Sequence, residues 1–432
     1  MSDTTESFAS EYLDYLSKSP SPYHAVDTAS ITLESAGYTR VVRTDPWPAE
    51  PGKYFFTEQG ALFAWITPGT EAVRGAAPSF AIVGTHSDSP SLKLKPTPQR
   101  TSPDGWGQLM VEVYGGPLYN SWLDRELLLA GQIVDREGLT HLVRTDSIAR
   151  VSQLAPHLDR SVNAEGVRLD AQQHMQPVWT VDDPEAKILD LVAETAGLED
   201  QNAIAAFDLF LYPSQPGERF GSKKQFVAAA RQDNLSSTFA GLQAFAGLEP
   251  DELSDPARIP VFVVFDHEEV GSASATGARG PLLRSSLRRI AGALGLGEEE
   301  FEQMLARSSV ISADASHSVH PAYPGKHDPD TRPMMGRGPI LKVDADQNYA
   351  TSAPGSAMWE SICQRAGFES QHFVSESSMR SGSTIGPAIS IALGITTVDV
   401  GIPLLSMHSA REMSHVEDTP MLSRALGVYW LS

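Results

Sequence analysis

The sequence predicts an α/β fold: a mixed, mostly parallel sheet flanked by helices, with an inserted, mostly β domain. Three observations predict it. Short apolar runs end abruptly in polar residues at 80–83, 259–265, 310–311 and 395–400. Helical patterns fall near 235–247, 299–307, 356–367 and 385–393, and strands alternating with helices build parallel sheets. Residues from 93 to about 230 instead carry strand-like runs with few helices between them.

The elements follow in order. Phe8, Tyr12, Leu13 and Leu16 recur at helical spacing within residues 5–18. Ser19-Pro-Ser-Pro22 stops that helix, residues 24–36 carry another, and 46–51 form a loop. The run 80–83 passes straight into Gly84-Thr-His-Ser-Asp-Ser-Pro90. Gln108-Leu-Met-Val-Glu-Val-Tyr114, 127–134, His141-Leu-Val-Arg144, 175–180 and 207–212 read as strands of the insert. The expected division is 1–92 with 231–432 for the α/β domain and 93–230 for the insert, since exposed loops tolerate insertions. Ligands of such sheets bind beyond the carboxyl ends of the strands, where the polar breaks fall.

Composition narrows the function. With 432 residues, 41% hydrophobic and 20% charged, the chain is long enough for two domains. A net charge of -21 repels phosphate backbones, so neither nucleic acid nor an anionic membrane is expected as a partner. Cys363, the sole cysteine, excludes an internal disulfide and a cysteine-based zinc site and fits a reducing cytoplasm. No apolar run approaches the ~20 residues that span a bilayer. The polar start, Met1-Ser-Asp-Thr-Thr-Glu6, lacks a signal pattern, so a cytoplasmic location is expected.

Phe265-Asp-His-Glu-Glu-Val-Gly-Ser272 carries the chemistry. Adjacent carboxylates at a buried strand end are costly unless they bind a cation or share a proton. Side chains of neighbouring residues on an extended chain point in opposite directions. One Glu can therefore hold a metal while the other faces water or substrate, a division that suits metal-assisted hydrolysis. His86, Asp88, Asp233, Asp314 and His408 complete a set whose donor types suit zinc and related ions. Each has a plainer reading too; Asp233, ahead of an apolar helix, reads equally as an N-cap.

Gly84-Thr-His-Ser-Asp-Ser-Pro90, Asp233-Asn234, the Glu268-Glu269 segment, Ser312-Ala-Asp-Ala-Ser-His317 and Met407-His-Ser-Ala-Arg-Glu412 together resemble the aspartyl aminopeptidase family of di-metal aminopeptidases. Tyr114-Gly-Gly116, Trp122-Leu-Asp-Arg125, Lys326-His-Asp328 and Gly382-Ser-Thr-Ile-Gly-Pro387 match too, in order along nearly the whole chain. The resemblance implies a zinc-aminopeptidase-like catalytic domain that removes N-terminal residues, preferring Asp or Glu, from peptides by metal-activated water. It implies two divalent ions per subunit, zinc first, with cobalt or manganese as substitutes. His86 and Asp314 would hold one ion, Glu269 and His408 the other, and Asp233 would bridge them. Asp88 would orient His86 by accepting its other ring proton, and Glu268 would act as general base.

The resemblance also implies that His317, Lys342 and Tyr349 contact substrate. Plainer roles stand beside these: a supporting hydrogen bond for His317, a solvent-facing strand end for Lys342. His157, in the insert, would reach a neighbouring subunit's site within a dimer-based tetrahedral dodecamer. Asn348 stands where relatives carry Arg, so neutral or apolar first residues are the alternative preference. The segment 382–384 offers either free backbone N–H groups to an anion or a helix cap by Ser383 or Thr384. Rival functions are a di-metal deacylase or carboxypeptidase, and a non-catalytic self-assembling scaffold.

Overall fold

The apolar runs form the middle of a nine-stranded sheet. In the computed structural model, which describes residues 3–432, the strand order is Thr39–Arg40, Gly52–Glu58, Ala61–Thr67, Arg258–Phe265, Ser79–His86, Ser309–Ala313, Thr396–Gly401, Ile340–Lys342 and Gln371–Phe373. The four central strands, from Arg258–Phe265 to Thr396–Gly401, run parallel to their neighbours within the group. Ala61–Thr67 and Ile340–Lys342 border them antiparallel, which makes the sheet mixed.

Burial on both faces explains why the central strands read as unbroken apolar runs. Ala81 and Val83 join a cluster with Phe239, Trp359 and Trp430 on one face. Phe80 and Ile82 point the other way, into Leu287, Phe301 and Ile389, as the period-2 alternation of a strand requires. The helices Asp3–Lys18, Pro22–Ser35, Gln232–Ala246, Glu298–Ala306, Ala353–Arg365 and Ile385–Leu393 occupy the expected stretches. The sequence reading did not anticipate the hairpin Gly52–Glu58/Ala61–Thr67 or the helices Leu282–Ala293 and Asp418–Leu431.

The insert is a closed six-stranded barrel, ordered Ile204–Pro213, Ser91–Thr101, Trp106–Tyr114, Val178–Val181, Thr140–Arg150 and Glu126–Asp135. Ile204–Pro213 closes it by pairing with both Ser91–Thr101 and Glu126–Asp135. Leu92, Leu109, Leu129, Val143 and Leu211 fill the interior region, and the helix Ile188–Thr195 adds Ile188 and Val192. The barrel strand Trp106–Tyr114 delivers Tyr114, Gly115 and Gly116 to the carboxyl ends of the sheet. No helix among the described residues is long and apolar enough to cross a membrane.

Candidate metal centre

Each strand of the parallel core ends in a site residue. His86 is the last residue of its strand, Asp314 directly follows Ser309–Ala313, and His408 closes the loop after Thr396–Gly401. Asp233 sits at the irregular start of Gln232–Ala246, where its own backbone is not helical and Arg231, the residue before the helix, occupies the cap position. The N-cap reading of Asp233 is therefore not realised. Its carboxylate turns to the two histidines instead.

Glu268 and Glu269 depart from the extended geometry expected of them. The strand stops at Phe265, His267 turns left-handed at φ 63°, and Glu268–Val270 form a 3₁₀ turn. The Asp88 carboxylate makes this turn: Oδ1 accepts from Glu268 N at 3.0 Å and Oδ2 from Glu269 N at 3.1 Å. Tyr114 of the barrel donates its hydroxyl to the same Oδ2 at 2.8 Å. Asp88 also faces His86, but the nearer partner of His86 Nδ1 is the Asp88 backbone carbonyl, at 3.1 Å, with the carboxylate Oδ1 at 3.4 Å. The ring is thus fixed with Nε2 toward the cleft.

Asp233 joins two groups of donors. Its Oδ1 lies 3.5 Å from His86 Nε2, which is 3.8 Å from Asp314 Oδ1. Its Oδ2 lies 3.3 Å from His408 Nε2, which is 3.5 Å from Glu269 Oε2. Each triad, His86/Asp233/Asp314 and Asp233/Glu269/His408, has its donor atoms close enough to surround one ion. Tetrahedral zinc with bonds of about 2.0–2.1 Å requires donor–donor spacings of roughly 3.3–3.4 Å, and three of these four spacings fall within 0.2 Å of that range. Asp233 Oδ1 and Glu269 Oε1 are buried with no hydrogen-bond partner among the described residues. Buried carboxylate oxygens left unpaired are expensive, and cations held by the two triads would remove the cost.

The electrostatics of the ion-free site point the same way. Burial would lower the His86 and His408 pKa values, but the carboxylates, Asp233 foremost, outweigh it. They raise His86 well above its ordinary value and His408 to about 10. Burial pushes Glu268 up to about 8 and raises Glu269 well above the usual carboxylate range, with the neighbouring Asp charges adding to both. Without an ion the site is balanced only by charged histidines and neutral glutamates. Divalent cations favour the reverse, neutral imidazole and ionised carboxylate.

The cleft over these groups holds about 430 Å³ and is lined also by His317, Lys342 and Tyr349. Lys342 does not end its strand in solvent: it is 2% exposed, donates from Nζ to Ala315 O at 2.7 Å and lies 4.0 Å from Asp314 Oδ1. Tyr349 packs its ring 5.3 Å from that ammonium. His317 opens onto the cleft with Phe373 beside it, and desolvation together with Lys342 pushes its pKa down to about 4. Thr384, not Ser383, caps Ile385–Leu393, accepting from Gly386 N at 3.2 Å. His157 is not brought to this cleft; it lies exposed in the barrel's 151–178 segment.

Several positioning groups escaped the sequence reading. Glu412, 1% exposed, accepts from Asp233 N at 3.0 Å with one oxygen and from His408 N at 2.8 Å with the other. Gly116 O accepts from His408 Nδ1 at 3.0 Å, which aims Nε2 at Asp233. Buried Asp399 accepts from Ala350 N and Thr384 Oγ1, both at 2.6 Å, and so ties two cleft walls together. A side chain at Gly386 would collide with that carboxylate. Arg279 lines the cleft as well. The signal for Glu412 was present, an acid four residues after His408, but its contact with Asp233 spans 179 residues.

Comparison with known proteins shows the family. The family model for aminopeptidase I zinc metalloproteases (M18) matches residues 15–429. A Streptomyces coelicolor protein described as a probable M18 family aminopeptidase 2 is 43% identical over 419 residues, covering 96% of both chains. Among solved structures, one from a cryo-EM structure of the Ape4 and Nbr1 complex superposes with a TM-score of 0.92 at 31% identity, covering 99% of this chain and 86% of that one. A chain of the S. cerevesiae mApe1 dodecamer gives 0.83 at 26% identity, covering 99% and 97%. The chain belongs to the M18 family of aminopeptidase I zinc metalloproteases and is a metallo-aminopeptidase, a hydrolase acting at the N-terminal peptide bond.

Proposed function

We propose that the enzyme uses two divalent ions per subunit, zinc first, to remove N-terminal residues from peptides, with a preference for Asp or Glu. The observation that carries the two-ion reading is Asp233, whose two oxygens face different histidines at 3.5 and 3.3 Å. His86 and Asp314 would hold one ion and Glu269 and His408 the other, with Asp233 shared. Bound there, the ions would polarise the scissile carbonyl and lower the pKa of water.

Glu268 is the proposed general base. It lines the cleft beside both triads and belongs to neither, and Asp88 holds its backbone in place. It would take a proton from the attacking water and return it to the departing amine. The surrounding carboxylates favour a cationic α-amine, which restricts cleavage to the first residue. Lys342, with Tyr349 over it and His317 across from it, would meet an acidic first side chain. Glu268→Gln keeps the shape of the side chain and removes the base. Both ions should remain by metal analysis while turnover falls about 10²–10⁴-fold; activity near that of wild type would refute the assignment. Free-amine peptides assayed beside their N-acetylated forms separate an aminopeptidase from a deacylase.

A homo-oligomer is part of the proposal, as a dimer-based tetrahedral dodecamer. The mApe1 match supports it, as do the exposed apolar side chains Leu154 and Leu158, 60% and 75% exposed, which flank His157. In that assembly His157 would complete a neighbour's cleft.

A further inference from the structure

The proposed reaction leaves one charged group of the cleft without a task. Among the described residues lining it, Lys342 and Arg279 are the Lys and Arg side chains. Lys342 has a task in that reading, the first side chain, and is held by Ala315 O and Asp314. Arg279 has none. Its main-chain N–H donates to Ser272 O at 3.2 Å and its Nε to Gly271 O at 3.1 Å, so its stem is anchored at two points. No acidic side chain pairs with its two terminal nitrogens among the described residues. An exposed arginine with an anchored stem and an open fork is prepared to take a planar anion bidentately.

Its place decides which anion. Lys342 adjoins Asp314, of the His86/Asp233/Asp314 triad. Arg279 is tied to Gly271, on the turn that carries Glu269 of the other triad. A peptide bond laid across both triads therefore has a cation at each end. If the first residue lies toward Lys342, the second lies toward Arg279. The cleft, about 430 Å³, is near the lower end of small-molecule pockets and suits a short peptide.

We infer that Arg279 binds a carboxylate on the leaving-group side of the scissile bond. This rests on the aminopeptidase reading with Lys342 serving the first residue. That carboxylate has two sources: the free C-terminus of a dipeptide, or an acidic side chain at the second residue. In either case the enzyme reads both sides of the bond, and its preferred substrates are doubly marked by charge.

The test uses the intact, metal-loaded protein and peptides that share the first residue wild type cleaves fastest, written X. The ratio of kcat/KM for X-Ala over X-Ala-amide reads the terminal carboxylate; the ratio for X-Glu-amide over X-Gln-amide reads the side chain. Wild type should favour the acid in at least one pair by about ten- to a hundredfold, the worth of one hydrogen-bonded charged contact, mostly through KM. Arg279→Gln should bring that ratio close to one, and Arg279→Lys should restore part of it. A merely structural disturbance of the turn would lower both members of a pair together and leave the ratio intact. An unaltered ratio in Arg279→Gln, or no preference for the acid in wild type, overturns the inference while the aminopeptidase reading stands. No cleavage of any free-amine peptide by wild type overturns both.

Discussion

At the scale of the residue, the site is a problem of charge. Asp88, Asp233, Glu268, Glu269 and Asp314 converge with two histidines, and the chain alone can hold them only by keeping protons in unusual places. His408 shows the sign. Burial would lower its pKa, yet Asp233 and Glu269 raise it to about 10, so in the ion-free chain it is charged at neutral pH. A histidine must be neutral to bind a metal. Loading at pH 7 should therefore release protons, and apparent metal affinity should rise as pH climbs from about 6 toward 10. Calorimetric titration with zinc in buffers of different ionisation enthalpy counts the protons; heats independent of the buffer would contradict the expectation.

At the scale of the element, position comes from short pieces of chain pinned to one another. The strand Glu412–His415 pairs with Phe226–Ala229 and presents Glu412 to the backbones of Asp233 and His408 at once. Glu412→Ala should weaken metal affinity about 10–100-fold, the usual effect of losing a group that orients a ligand, and Glu412→Gln, which keeps one acceptor oxygen, should recover part of it. Competition with a calibrated chelator measures both; wild-type affinity in the Ala variant would remove Glu412 from this role. Much of the element map was legible in the chain. Both-face burial writes apolar runs and a site at strand ends breaks them, as at Val83 to His86 and Phe265 to Glu269. Other pieces were hidden for physical reasons. Asp418–Leu431 buries one face, through Leu422, Ala425, Leu426, Tyr429 and Trp430, but Met421, Val428 and Leu431 lie half-buried on the other, so apolar residues ring the helix and its period is faint. Leu282–Ala293 does carry a clear stripe, Leu283, Leu287 and Ile290, and was simply unassigned. The hydrogen bond from His408 to Gly116 crosses 292 residues; only folding creates it, so no local pattern announces it.

At the scale of the whole molecule, the proposed assembly makes one subunit insufficient. His157 lies apart from its own cleft on an exposed segment, so His157→Ala and Glu268→Gln would damage different halves of a shared site. Each variant should be nearly inactive alone, and oligomers formed by mixing them should regain a measurable share of turnover. Mixed assemblies, verified by mass, that stay as inactive as their parents would rule out the trans contribution. The barrel has a further meaning for anyone redesigning this chain. Tyr114 and Gly116 reach from it to Asp88 and His408, one supporting the turn of Glu268, the proposed base, and the other aiming His408, a proposed metal donor. A graft that kept the nine-stranded sheet and exchanged the barrel for a simple linker would cut both tethers, leaving a vessel for the ions with its chemistry unaimed.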